Sequence, residues 1–337
     1  MEAQRETHWG VFGHDWAVRQ LRQSLLHHRA RHAYLITGPA SIGKETLARA
    51  FAMALNCLQM DEAARPCHEC SSCLRILSGN HPDILYSQND PSTGSLRVDE
   101  VRALAGRLAL RPYEARYRVA ILRDFDRAQP LAQDALLKTL EEPAPHAVLI
   151  LLAESADRVL PTISSRSQQI ALRPVSAEVL ARTLIDHFQA DVESARLLAG
   201  IAGGRIGWAI SALGDPAALE SRAAALDQLR ELLGMNRAGR FDVAEALSKD
   251  RPELLNHLRL WQGFWRDVLL ANEQTGLPIE NADRVDTITT LAARLTPEQV
   301  LAALKATRTT LDTLSTTNAN PRLALEVMML DYPGLMR

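Results

Sequence analysis

Residues 33–44, AYLITGPASIGK, place a short apolar run directly before a glycine loop that ends in lysine. Five such residues in a row read as a strand buried on both faces, and strands of that kind belong to parallel sheets covered by helices. Helical periodicity follows from about Glu45 to Asn56. Strand, glycine loop and helix in this order are the frame of a P-loop. There, backbone N–H groups at a helix N-terminus cradle phosphate and the lysine neutralises it. Gly38, Gly43, Lys44 and Thr46 are therefore the candidate nucleotide-binding residues.

The frame is present, but part of the chemistry is not. The position after the lysine ordinarily carries a Ser or Thr hydroxyl for Mg²⁺; here it is Glu45. A carboxylate there repels phosphate oxygens, and Thr46, one residue on, lies about 100° round the helix. Three readings stay open at this point: an ordinary tight strand-to-helix turn, a working ATP site, and a relic with weak or no nucleotide binding, which Glu45 favours. A P-loop ATPase also needs acids at the end of a neighbouring strand. The candidate is VAILRDFDRAQ, 119–129, where Arg123 stands first after the apolar run and Asp124 and Asp126 follow.

Around this frame, DILY (83–86), VAIL (119–122), AVLILLA (147–153) and QIAL (169–172) read as further strands, with a polar turn at 87–95. Helices are predicted over 16–29, from a cap at Asp99 with Val101, Leu104 and Leu108 on one face, and over 131–142, ended by Pro143. Beyond 173 the strand signal stops. Short helices fill 176–212, broken near Gly203-Gly204, and long amphipathic runs occupy 253–272 and 297–314. The expected class is α/β plus α, and 337 residues suit two or three domains.

All four cysteines, Cys57, Cys67, Cys70 and Cys73, lie between positions 57 and 73. The opening MEAQRETHWGVFG lacks the apolar core of a signal peptide, and no run of eighteen apolar residues exists, so a cytoplasmic location and no membrane contact are expected. In a reducing compartment, four clustered thiols with CxxC spacing suit a structural Zn²⁺ held tetrahedrally; buried free cysteines and a redox or disulfide site are the alternatives. A formal net charge of −2 argues against duplex DNA binding by the chain alone. His27, His28 and His32 read as surface residues, and Trp261, Phe264 and Trp265 as helix packing. Arg102, Arg107, Arg111, Arg116 and Arg118 give either a solvated face or a surface for a partner or DNA.

The stretch 123–170, with ALLKTLEEP (135–143) and TISSRS (162–167), resembles the AAA+ clamp-loader subunits of bacterial DNA polymerase III. The resemblance runs over about residues 7–212 and more loosely over NPRLALEVMML, 320–330. It implies an AAA+ P-loop domain at 1–173 with a zinc module inserted at about 57–80, a helical lid at 174–212, and a helical collar for oligomerisation at 213–337. It also implies a complex with gamma/tau motor subunits and a delta subunit that loads a sliding clamp on primed DNA, within a DNA-directed DNA polymerase holoenzyme. Motor subunits of the family have Ser/Thr where this chain has Glu45, and Asp-Glu where it has Arg123-Asp124. They have a sensor Thr near Ala153-Glu154-Ser155 and an ATP-contacting arginine where Gly207 stands. Four departures at four contacts imply a subunit without intrinsic hydrolysis. Ser165-Arg166-Ser167 matches the family's Ser-Arg-Cys motif, with Ser167 for Cys, which implies that Arg166 is an arginine finger acting in trans on a neighbour's ATP. By itself Arg166 would be a loop arginine at the surface.

Overall fold

The computed structural model describes residues 9–90, 95–277 and 279–334. The residues at 1–8 that enter the signal-peptide argument, and 91–94 of the polar turn, lie outside them. The chain divides into two compact units, Met1–Ser176 with Gly204–Gly207, and Ala177–Gly203 with Trp208–Arg337.

The first unit runs α1 (Asp15–Leu26), β1 (Ala33–Thr37), α2 (Lys44–Asn56), α3 (Ser71–Leu77), β2 (Ile84–Tyr86), α4 (Val98–Ala109), β3 (Arg118–Leu122), α5 (Pro130–Asp134), α6 (Leu137–Glu141), β4 (Ala147–Ala153), α7 (Pro161–Ser164) and β5 (Gln168–Ala171). The strands form one sheet in the order β2-β3-β4-β1-β5, and every pairing is parallel. Alternate residues of β1 to β4 enter two separate cores, as a period of two demands, while the edge strand β5 buries only Ile170. Tyr34, Ile36, Val119, Ile121 and Ile150 face Leu21, Leu47 and Phe51; Leu35, Ala120, Leu122, Leu149 and Leu151 face Val101, Leu104, Leu108 and Leu140. Phe51 packs edge-on to Tyr34 at 4.9 Å and stacks on Trp9 at 6.3 Å. Side chains of this size each contribute roughly 1.5–3 kcal/mol by burial, which is how a five-stranded sheet holds its two helical layers.

Two local expectations need correction. Arg97, not Asp99, occupies the N-cap of α4, and Asp99 sits in the first turn, where its charge complements the helix dipole. The helix expected over 131–142 is two short ones, α5 and α6. At the break, Gln133 is buried and bonds outward: its Nε2 donates to the carbonyls of Ala128 and Arg158 and its Oε1 accepts from Leu160 N. Those tertiary bonds set the local geometry where periodicity alone suggests one continuous helix.

The second unit is helical: α8 (Ala177–Phe188), α9 (Val192–Ile201), most of α10 (Ile206–Leu213), α11 (Pro216–Gly234), α12 (Arg237–Leu247), α13 (Arg251–Asn272), α14 (Val285–Arg294), α15 (Pro297–Thr316) and α16 (Pro321–Leu330). Asp215, Asn236, Asp250, Thr296 and Asn320 each cap a helix through the side chain, as their residue types favour. Trp261, Phe264 and Trp265 are buried in the core with Val300, Leu325 and Met329, so the reading as helix packing holds. Buried Arg240 donates to the carbonyls of Leu232, Met329, Tyr332 and Pro333, tying the C-terminal turns of α11 and α16. A cation suits that position because helix C-termini present unpaired carbonyls.

Candidate functional site

The glycine loop follows β1 at the C-terminal edge of the sheet, where ligands bind in open parallel sheets. Gly38 has φ +146°, and a Cβ there would stand 2.7 Å from the carbonyl of Leu172. Gly43 is the left-handed N-cap of α2. The loop's own carbonyls are already engaged. Lys44 Nζ turns back to donate to Gly38 O at 2.6 Å and Pro39 O at 2.9 Å. His14 Nε2 donates to Ile42 O at 2.8 Å, and Gly207 N donates to Ser41 O at 2.8 Å. Burial lowers the Lys44 pKa, against the opposing pull of Glu154, Asp124 and Asp126. Thr46 is exposed. A Cβ at Gly207 would lie 2.8 Å from Ser41 O, closer than carbon and oxygen ordinarily approach, so a side chain there would force the loop to shift.

Glu45 and Arg123, anomalous one at a time in the sequence, are partners. Arg123 Nη2 donates to Glu45 Oε1 at 2.5 Å, and Arg49 Nη2 donates to the same oxygen at 2.8 Å. The Arg123 guanidinium stands 5.1 Å from the Tyr86 ring centroid, in cation–π range. A half-exposed pair of this kind adds little stability, of order 1 kcal/mol or less. Its consequence is local: Arg123, the first residue after β3, turns its guanidinium to Glu45 and the Tyr86 ring, so the two replaced positions neutralise one another. Asp124, at φ +46°, accepts from Asn89 Nδ2 at 3.2 Å. Burial and then the charge of Glu154 raise the pKa of Asp126, although backbone N–H groups of Glu154 and Asp126 oppose the shift. Glu45 stands where a P-loop carries a hydroxyl for magnesium, while the carboxylates of Glu154, Asp124 and Asp126 lie close enough to act on the Lys44 charge.

Arg166 is not part of that cluster. It precedes β5, at the opposite edge of the sheet from the glycine loop, which follows the adjacent parallel strand β1. Five strand residues separate those edges by about 16 Å. Its side chain is 39% exposed; Nη2 donates to Glu141 Oε1 at 3.0 Å and Nη1 to Thr162 O at 3.1 Å. An arginine so placed cannot serve its own chain's phosphate loop.

The four cysteines do converge: their Sγ atoms all lie within 4.8 Å of one another. Backbone N–H groups point at three of the sulfurs, Gln59 and Cys67 at Cys57, Cys70 at Cys67, and Cys73 at Cys70. Such donors stabilise thiolates, the form that binds metal. Burial acts to raise the Cys70 thiol, but the N–H groups of Cys73 and Leu58 with the neighbouring thiols bring it down to about 7. Four sulfurs at this mutual distance fit one tetrahedral ion with no open position, which suits a structural role. The cluster is latched to the loop before β3: Asn56 and Tyr117 exchange hydrogen bonds, Arg116 donates to Cys57 O, and Arg75 pairs with Glu114 at 2.6 Å.

A parallel sheet with a glycine loop and lysine after β1, together with a helical second unit, defines a P-loop-like α/β protein with a helical extension. Two family models match it, "DNA polymerase III, delta subunit" over residues 13–176 and "DNA polymerase III, delta subunit, C terminal" over 216–333. The chain belongs to this family of DNA polymerase III clamp-loader subunits. It is 38% identical over 173 residues to DNA polymerase III subunit delta′ of Pseudomonas aeruginosa, covering 50% of this chain and 52% of that protein. It is 32% identical over 210 residues to subunit tau of Bacillus subtilis, covering 60% of this chain and 36% of that one. The chain thus spans about half the length of the delta′ relative and a third of the tau relative. A gamma subunit-related protein of Thermotoga maritima aligns with 92% of this chain and 97% of its own at 17% identity and a TM-score of 0.38.

Sequence reasoning missed His14, Glu141 and the mutual pairing of Glu45 with Arg123. Glu45 and Arg123 lie 78 residues apart, and opposite charges at that separation carry no local signal. Among the described residues, no helix is long and apolar enough to cross a membrane.

Proposed function

We propose that this chain is a delta-prime-type clamp-loader subunit, a cytoplasmic stator without ATPase activity of its own, and that Arg166 acts in trans on the ATP of a neighbouring gamma/tau motor subunit. The Glu45–Arg123 ion pair at 2.5 Å carries this reading, because a P-loop ATPase needs a hydroxyl and an acid at these two sequence positions and here they hold an anion and a cation spent on each other. The placement of Arg166 supports it. An exposed guanidinium, always charged and able to make two parallel bonds, suits the charge that develops on a transferred phosphoryl group. Fingers of this kind accelerate other NTPases by roughly 10³–10⁵-fold. On this reading the chain assembles with gamma/tau and delta subunits, through a collar at 213–337 beyond a lid at 174–212, to load a sliding clamp on primed DNA. Cys57, Cys67, Cys70 and Cys73 hold a structural Zn²⁺ in the sheet domain at 1–173.

The test is ATP turnover. The purified chain with ATP and Mg²⁺ is expected to show no hydrolysis above background, and Arg166→Ala is expected to leave assembly intact while slowing turnover by the reconstituted loader at least tenfold. Motor-level turnover by the chain alone, lost in Lys44→Ala, would instead make it a gamma/tau-like motor. Loader turnover indifferent to Arg166→Ala would remove the finger.

A further inference from the structure

Beside Arg166 the first unit opens into a hollow of about 550 Å³ whose lining includes His27, Arg29, Arg31, Ser165, Arg166 and Ser167. The topology explains why these residues meet. β1 and β5 are adjacent and parallel, with Tyr34 paired to Gln168, so the segments entering the two strands run side by side. One carries His27, Arg29 and Arg31 and the other Ser165-Arg166-Ser167. Three guanidiniums and an imidazole therefore surround one space. Glu141 pairs with Arg166, while among the described residues neither Arg29 nor Arg31 has an ion-pair partner. Ser167 Oγ is buried and has no hydrogen-bond partner. A concave site lined by cations concentrates anions, and guanidinium forks match phosphate oxygens in pairs.

What the hollow lacks narrows its ligand. Among the described residues that line it there is no Phe, Tyr, Trp or aliphatic side chain to bury a nucleobase and no carboxylate to hold a magnesium ion; its one ring is the small His27 imidazole. We propose that Arg29 and Arg31 complete, with Arg166, a binding site for the polyphosphate tail of a nucleotide whose base, sugar and metal are held by another chain. This rests on the reading of Arg166 as acting in trans, and extends it: Arg166 meets the developing charge, while Arg29 and Arg31 grip the tail in the ground state as positioning residues. Glu141 holds the Arg166 guanidinium until the phosphates displace it.

The experiment uses the full chain reconstituted with its ATP-hydrolysing partners, and compares Arg29→Ala/Arg31→Ala, Arg29→Lys/Arg31→Lys and Arg166→Ala with the unaltered protein. All three positions are exposed, so folding should survive, and circular dichroism checks that it does. The double alanine variant is expected to raise KM for ATP about tenfold, more than it lowers kcat; the lysine pair recovers most of the loss, and Arg166→Ala acts mainly on kcat. Unchanged KM in the double alanine variant, with Arg166→Ala still slow, would overturn the proposal and leave the trans reading standing. Indifference to all three variants would remove both. Sodium tripolyphosphate, titrated calorimetrically into the isolated chain, separates the two sources of phosphate. Weak, salt-sensitive binding is expected. Tight, saturable binding lost in the double variant, with loader kinetics unaffected, would assign the hollow to free polyphosphate and overturn the proposal.

Discussion

Asp83 has no exposed surface, yet it carries a charge. Burial alone would raise its pKa, but the N–H groups of Glu114, Tyr113 and Ala115 and the Arg118 guanidinium outweigh that and bring it down to about 2. A carboxyl whose folded pKa lies below its unfolded value stabilises the fold at pH above the unfolded value, and that contribution fades as pH falls toward the folded one. The window here is about pH 4 down to pH 2. A shift of this size corresponds to roughly 2 kcal/mol. Asp83→Asn is expected to lower stability near pH 7 by about that amount and to flatten the acid limb; denaturant titrations at pH 7, 4 and 2.5 read it. Equal losses by both proteins on acidification would show that Asp83 does not drive it. The nucleotide pocket illustrates the same scale. Glu45→Thr alone is expected to restore no ATP turnover in the isolated chain, because Arg123 rather than an acid still follows β3 and Gly207 still bonds Ser41. A radiolabelled-phosphate release assay with measurable hydrolysis would refute this.

Among elements, the cysteine module and the loop before β3 act as one piece. Asn56, Arg116, Glu114 and Arg75 join them, with His81 set between Ser72 and Asp83 N. If Zn²⁺ holds the module, Cys70→Ser should lose the metal and loosen residues 110–117 as well as 57–80. Elemental analysis reads the first and hydrogen exchange the second. Faster exchange confined to 57–80 would break the mechanical link, and full metal content in the variant would exclude Cys70 as a ligand. Elements also mark how far local pattern reaches. β1 and β4 have the bounds their apolar runs predict, whereas the cap read at Asp99 falls two residues earlier, at Arg97. The break between α5 and α6 was not legible, because its cause is a buried Gln133 bonded to residues 25 and 27 positions away.

At the scale of the molecule, the described residues form separate cores, two flanking the sheet within residues 9–172 and one among the helices within 226–332. Separate cores predict separable unfolding. Chelation of a bound metal should lower the melting transition of the first unit and leave that of the second in place, as calorimetry with and without chelator would record; a single transition shifted as a whole would contradict it. The parallel sheet, the helical remainder and the cysteine set are legible in local periodicity and short spacing, and the family in the resemblance carried by residues 123–170. Folding alone brings Glu45 against Arg123, sets Gly207 on the Ser41 carbonyl, and places Arg166 at the far end of the sheet beside Arg29 and Arg31. Those facts depend on which distant segments the strand order brings together, and charges or close contacts between distant segments leave no trace in the pattern of either one.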